Sequence, residues 1–236
     1  MKILSLDSSA TCASVCIYDM VEQKVIGEFF INTKLTHSQT LVPMIDALLS
    51  STNTTLEDID CFAVNTGPGS FTGIRIGVSV VKGMAMALNK PCVSVSTLKS
   101  MAYSFIDKND TIICSCMDAR RNQVYNALFL INDGEVTRLC DDRAIQVDCL
   151  LQELNAYDKE VVVVGDGAHL CFNSELENKN INLAIDARRY QKASFVALAA
   201  LENIKNDDLL SAAEIMPTYL RPSQAERERN KKVGES

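Results

Sequence analysis

Residues 111–118, Thr-Ile-Ile-Cys-Ser-Cys-Met-Asp, repeat a pattern already used at 3–7, Ile-Leu-Ser-Leu-Asp. Both are apolar runs of buried-strand length that stop at an aspartate. Outward from 111–118, the chain turns and gives a second apolar run, Gln123 to Ile131. The turn Asn132-Asp133-Gly134 and a third strand, Glu135 to Cys140, follow. Asp-Gly between two such runs marks a hairpin, because its central residues need positive φ. The N-terminal copy continues in the same way, with Ala13 to Tyr18 and Lys24 to Ile31. Three short strands joined by polar turns read as an antiparallel meander.

Each meander runs on into alternating helix and strand signals. In the first half a helix is expected from Gln39 to Ser50, with Leu41, Met44, Ile45, Leu48 and Leu49 on one face. Pro43 fits only in a first turn, which places the start near Thr40. Thr55 with Asp58 reads as a capped short helix start. A strand over Cys61 to Thr66 is broken by Gly67-Pro68-Gly69-Ser70, and a long helix follows from Phe71 to Leu88. Then come a strand over Pro91 to Ser96 and a helix over Leu98 to Phe105 capped by Thr97. In the second half Glu160 to Val164 is a strand, Ala193 to Ile204 a helix, and Ile215 to Leu220 the last ordered piece. The polar run Asp107-Lys108-Asn109-Asp110 is the best boundary. The expected division is an N-terminal lobe 1–108, a C-terminal lobe 109–222 and a charged tail 223–236. This weak internal duplication predicts an α/β fold of two ribonuclease H-like halves. That layout resembles the actin, hexokinase and heat-shock-chaperone ATPase (ASKHA) superfamily, where nucleotide lies between the halves.

Composition narrows the function. The 236 residues are 47% hydrophobic and 22% charged, enough for a real core. No uninterrupted apolar run reaches the roughly 18 residues of a membrane span, so no membrane partner is expected. Met1 to Ser9 is too short and too acidic for a signal peptide, which predicts a cytoplasmic chain. The net charge of −7 argues against strong unaided binding to nucleic acid. The one dense basic stretch, Arg221 to Lys232, is interleaved with Glu226 and Glu228. Nine cysteines, an odd number without zinc spacing, read as small buried hydrophobes. The only histidines are His37 and His169, and residue 41 is Leu, so no His-x-x-x-His pair exists to hold a metal.

The chief motif is Gly67-Pro-Gly-Ser-Phe-Thr-Gly-Ile-Arg-Ile-Gly77. It is no Walker loop, because the Lys-Ser/Thr ending is missing, and its glycine spacing is not the dinucleotide fingerprint. Gly69, Gly73 and Gly77 recur every four residues, which puts them on one helix face. Each helical glycine costs about 1 kcal/mol relative to alanine. Close packing or an interface is therefore preferred over anion binding. Expected interface residues are Leu41, Met44, Ile45 and Leu48 on the first helix. On the second they are Gly69, Gly73, Gly77, Val80, Val81 and Met84. A helix apolar nearly all round needs cover on two sides.

Gly67 to Gly77, between a strand and an apolar helix, resembles the signature of the TsaB (YeaZ) family. Residues 4–19 (LSLDSSATCASVCIYD), 37–46 (HSQTLVPMID), 118–125 (DARRNQVY) and 217–221 (PTYLR) lie where that family has similar segments. The resemblance covers essentially the whole chain. It implies a non-catalytic subunit required for threonylcarbamoylation of the adenosine beside the anticodon in tRNA. It implies as partners TsaD, the catalytic sister of the same fold, and TsaE, a small ATPase. It also implies a homodimer when alone, and contact with tRNA only through the complex. Asp7-Ser8-Ser9 resembles the superfamily's first phosphate element, and Asp118-Ala119-Arg120-Arg121 takes the place of the second, where a working ATPase generally has glycines. Gly165-Asp166-Gly167-Ala168 loosely resembles the adenosine element. Nucleotide at Asp7, Ser8, Ser9, Asp118, Gly165 and Gly167 is expected to be weak. ATP or ADP is admitted at a shared interface, with no tightly bound cofactor, no metal and no catalytic residue. The rival class is an autonomous enzyme: a weak ATPase using Asp7, or a peptidase. A Gly-x-Ser-x-Gly elbow is missing, and helix capping explains Ser70 equally well.

Overall fold

A computed structural model of the chain describes residues 1–33, 35–172 and 180–221. The expected tail 223–236 lies outside the described residues. Strands β1 (Lys2–Asp7), β2 (Cys12–Asp19) and β3 (Lys24–Asn32) form the first meander. After helix α1 (His37–Ser51), strands β4 (Cys61–Gly67) and β5 (Cys92–Ser96) flank helix α2 (Phe71–Leu88). The sheet order is β3-β2-β1-β4-β5; β1 is antiparallel to β2 and parallel to β4. Helix α3 (Thr97–Ala102) and a 3₁₀ turn (Tyr103–Phe105) lead to the second half.

There β6 (Thr111–Asp118), β7 (Gln123–Asn132) and β8 (Glu135–Arg138) repeat the meander, and β9 (Arg143–Gln146) also pairs with β7. Helix α4 (Val147–Asn155), strand β10 (Glu160–Val164), helix α5 (Ala168–Phe172) and strand β11 (Ile181–Leu183) complete the order β11-β10-β6-β7-β8. Short helix α6 (Asp186–Arg189) and helix α7 (Ala193–Lys205) follow. Two mixed sheets, each opening with a three-stranded meander, face each other across a cleft, as the expected two-lobed α/β layout requires.

The first strand of each lobe is central and buried on both faces. Leu4 and Leu6 join the core beneath α1 and α2, and Ile3 joins the core beneath α7. In β6, Ile112, Cys114 and Cys116 face α4 and α5, whereas Ile113 and Met117 face α3. A strand covered on both sides reads as one apolar run, which is why cysteine serves there as a small hydrophobe. All nine cysteines are free thiols.

Several boundaries need correction. Helix α1 begins at His37, a turn earlier than the Pro43 argument allows, with the Thr36 carbonyl accepting from the Gln39 N–H at 3.0 Å. Thr55 and Asp58 form a reciprocal turn, with the Thr55 N–H donating to Asp58 Oδ2 at 2.8 Å, but no helix follows. Ser96, not Thr97, caps α3 by accepting from the Lys99 N–H. Residues 215–220 have no regular secondary structure. The sheets do divide at 107–110, but the second half does not stay on its own side. Helix α7 packs on β1, β2, β4 and β5, while α3 packs on β6 and β7. Leu210 bridges to Cys92, and Ile215 is fully buried in the first lobe. By packing, 193–218 belong to the first lobe. Among the described residues, α2 is the one helix long and apolar enough to cross a membrane. Its buried face of Gly73, Ile74, Gly77, Val78, Val81 and Ala85 is taken up by its own lobe.

Candidate functional site

The glycine stripe explains how α2 is seated. Ser70 caps the helix by accepting from the Gly73 N–H at 3.2 Å. Asn89 ends it in the left-handed conformation, followed two residues later by Pro91. Against the first turns lies the β1–β2 turn. Ser8 Oγ donates to the Gly73 carbonyl at 2.9 Å, and the Ser70 N–H donates to the Ser9 carbonyl at 2.6 Å. A Cβ on Gly73 would run into the Ser8 carbonyl oxygen, and one on Gly77 would lie 2.5 Å from Ser8 Oγ. A Cβ on Gly69 would meet the Ser9 carbonyl oxygen. The stripe is therefore close packing within the chain: Gly73 and Gly77 are corrected from partner interface to interior, and Gly69 to the wall of the cleft between the lobes. Leu41, Met44, Ile45, Leu48 and Val81 move to the interior with Gly73 and Gly77; each is buried in the same core. That periodic face turns to the chain's own sheet.

Two surfaces remain. The first is a groove of about 350 Å³ between α1 and α2, lined by Val42, Leu49, Leu56, Val80 and Met84, with Ile45 at its floor. Val42 is 55% exposed, and a Cβ on Gly83, in the same groove, would meet nothing. Of the expected interface residues, Val80 and Met84 stand on this surface.

The second is the cleft between the lobes, a cavity of about 650 Å³. Ser9 and Asp118 line it, as expected; Asp7, Ser8, Gly165 and Gly167 do not. Asp7 is fully buried behind it and accepts from the Ser9 N–H (3.2 Å), Ser9 Oγ (2.9 Å) and Asn65 Nδ2. Burial pushes its carboxyl above the usual carboxylate range, against the pull of the Asn65 and Ser9 hydrogen bonds. Gly165 and Gly167 let the β10–α5 turn pack against the end of β6: a Cβ on either would collide with Cys116 or Met117 backbone. Ala119 and Arg120 both line the cavity, so side chains fill ground that glycines would leave to phosphate. Arg120, Arg121 and Asn122 all have positive φ, at 66°, 57° and 55°.

The cleft residue that the motif reading passes over is Asp166, between the two glycines. It lines the cavity, and its Oδ1 is buried without a hydrogen-bond partner among the described residues. Burial pushes its carboxyl up to about 6, and the nearby Asp118 carboxylate pushes the same way. A lone acidic residue flanked by glycines at a strand end was the available signal. Arg221, which also lines the cleft, ends a C-terminal strap. Thr218 N–H donates to the Thr66 carbonyl at 2.7 Å, and Tyr219 stacks on Phe71 with ring centres 4.0 Å apart. Arg221 crosses to the second lobe and donates to the Ala119 carbonyl at 3.4 Å and to Gln123 Oε1. Ser70 and His37 form no nucleophile–base pair. Ser70 Oγ caps α2, and His37 Nε2 meets the Ala10 carbonyl at 2.7 Å. Among the described residues, no group of three His, Cys, Asp or Glu is placed to hold a metal.

Comparison with known proteins agrees with this architecture. Residues 24–228 match the family model described as TsaD, tRNA N6-adenosine threonylcarbamoyltransferase. The tRNA threonylcarbamoyladenosine biosynthesis protein TsaB of Escherichia coli is 30% identical over 169 residues, 71% of this chain and 72% of that protein. The chain belongs to the TsaB family. The Bacillus subtilis TsaB is 28% identical over 96% of each chain. A solved structure titled YeaZ from Pseudomonas aeruginosa superposes with a TM-score of 0.79 at 24% identity, covering 93% of this chain and 99% of that one. In this TsaB-family chain the two lobes and their cleft are thus the family fold, with Asp7 sealed beneath the cleft.

Proposed function

We propose that the chain is a binding subunit, without a catalytic residue of its own, in the threonylcarbamoylation of tRNA adenosine. In this reading it docks a TsaD-type catalytic subunit through the α1–α2 groove, and pairs with a second copy through the same groove when that subunit is missing. The observation that carries the reading is the groove itself. Helix α2 spends its inner face on its own lobe, and the flank turned to α1 still presents Val80, Gly83 and Met84, so that flank needs other cover. Gly83 supports the same conclusion. A glycine inside a helix costs about 1 kcal/mol, and nothing in its own chain crowds this one. A helix laid into the groove would approach the backbone there closely. The relatives' names supply the pathway. The sealed Asp7 supports the absence of ATP turnover, because its carboxylate is already committed to three donors.

The test is a double substitution on the groove, Val42→Glu with Met84→Lys. Val42 is exposed and Met84 half-buried on the groove wall, so thermal unfolding is measured first to establish that the variant folds. Charges buried in an interface centre weaken association by about tenfold or more. Sedimentation should show loss of assembly with the TsaD-type subunit, and reconstituted tRNA modification should fall in parallel. A folded double variant that assembles and supports modification like the parent retires this surface.

A further inference from the structure

The arginines divide by location. Arg138, Arg143, Arg188 and Arg189 each pair with a carboxylate: Asp142, Glu153, Asp107 and Asp186. The other four among the described residues, Arg75, Arg120, Arg121 and Arg221, form no ion pair, and they gather at the rim of the cleft. Arg120 and Arg221 line its wall. The Arg75 guanidinium lies 4.5 Å from the ring centre of Phe71, which lines the same cavity. Arg121 follows Arg120 in the left-handed β6–β7 turn.

Two of these guanidinium groups are held, and only by neutral groups. Arg75 Nε donates to Tyr219 Oη at 2.7 Å. Arg221 donates to the Ala119 carbonyl and Gln123 Oε1 and lies 5.8 Å from the Tyr125 ring centre. Arg120 lines the wall; its backbone N–H donates to Asp118 Oδ1 at 2.7 Å, while its guanidinium has no ion pair among the described residues. Neutral acceptors fix a guanidinium without cancelling its charge. In a chain of net charge −7, four uncompensated arginines around one opening give a local positive field.

The interior of the opening is different. Asp118 and Asp166 line it, so an anion drawn by the rim is repelled from the depth. That favours an anion that crosses the mouth over a small one that enters it. Beside Arg75, Tyr219 is 39% exposed and already stacked on Phe71. Arginines interleaved with an exposed aromatic suit a phosphodiester backbone with unstacked bases.

We propose that the rim of the cleft, through Arg75, Arg120, Arg121 and Arg221, is a contact surface for RNA phosphates. Resting on the function proposed above, the RNA is the tRNA substrate, held at this rim while chemistry proceeds on the catalytic subunit. Recognition is of backbone charge and not of sequence. The contacts add to those made by the rest of the assembly, in keeping with weak binding by the chain alone.

The test uses the full chain and a dye-labelled anticodon stem-loop RNA, followed by anisotropy at several salt concentrations. Arg120→Asn with Arg121→Asn removes two charges, and asparagine tolerates left-handed backbone. Lys24→Gln with Lys205→Gln removes two charges elsewhere. The rim variant should bind at least fivefold more weakly at low salt. Its slope of log affinity against log salt should fall by about one per lost contact. The lysine variant should stay within twofold of the parent. Arg75→Gln should weaken binding further in the rim background. Three results would overturn the proposal: no RNA binding by the parent at low salt, equal losses in both double variants, or polyglutamate of matched charge competing as well as RNA. Assembly with the TsaD-type subunit is measured separately by sedimentation. Its failure would retract the proposed function while the RNA measurement on the isolated chain still stands.

Discussion

Asp7 is fully buried and Asp166 half-buried with one oxygen out of reach of solvent; both carboxyls are raised above their ordinary range, and they differ in what surrounds them. Asp7 is met by three donors, so the charged form is partly compensated inside the lobe. Asp166 keeps an oxygen without a partner. Its carboxyl is held near 6 in the folded chain against an ordinary value of 3.8. A folded state that holds its proton more tightly than the unfolded state loses stability as pH rises between those two values. The rise of roughly two units, at about 1.4 kcal/mol each, sets an upper limit of about 3 kcal/mol. Asp166→Asn, which cannot ionise, should therefore stabilise the protein at pH 8 by up to that amount. The gain should shrink as pH falls through 6 and vanish below 4. Urea titrations at pH 4 and pH 8 decide it; a gain independent of pH would show that Asp166 is not the titrating group.

The helices show how the same residue type can carry opposite meanings. Gly73 faces the Ser8 carbonyl, whereas Gly83 faces open space. Replacing either by alanine improves helix propensity by about 1 kcal/mol. At Gly73 the added methyl must displace backbone, and overpacking of that kind typically costs about 1–3 kcal/mol. Gly73→Ala should thus destabilise and Gly83→Ala stabilise, with opposite shifts in the urea midpoint. Equal shifts of one sign would remove the packing account of the stripe. This pair also marks what was legible in the sequence. The four-residue spacing gives the shared face, and Ser70, Asn89 and Pro91 give the ends of α2. Spacing cannot say whether the surface approached belongs to the same chain, so Leu41, Met44, Ile45, Leu48 and Val81 were expected outside and lie inside. Strands β9 and β11 were not legible because Arg143–Gln146 and Ile181–Leu183 are too short to show a period. Asp166 was hidden by its setting, since an aspartate between glycines also reads as turn chemistry. The early start of α1 was hidden by Pro43, whose missing N–H leaves the Gln39 carbonyl without its usual helical donor.

At the scale of the molecule, the two halves of the chain trade cover. Helix α3, from the first half, packs on β6 and β7, and helix α7, from the second, packs on the first sheet. Under α7 lie Ile3, Cys16, Cys61, Ala63, Val93 and Val95, all buried. The strap adds the Leu210–Cys92 bridge and plugs Ile215 into the core below α1 and α2. The boundary at 107–110 is therefore a boundary between sheets and not between folding units. A fragment of residues 1–108 would keep five strands and both long helices of the first lobe, yet expose one whole face of its central strands. Sheets of this mixed kind need both faces covered, and a contiguous apolar patch left in water drives association. The fragment should fail to give a cooperative urea transition and should aggregate, while the full chain should unfold in one step by circular dichroism and tyrosine fluorescence alike. Adding residues 190–236 as a separate peptide should restore part of the fragment's structure, because α7 and the strap are the missing cover. A soluble 1–108 fragment with a sharp transition of its own would mean that the sheet tolerates the loss of α7. The lobes would then be independent units, joined and not interwoven.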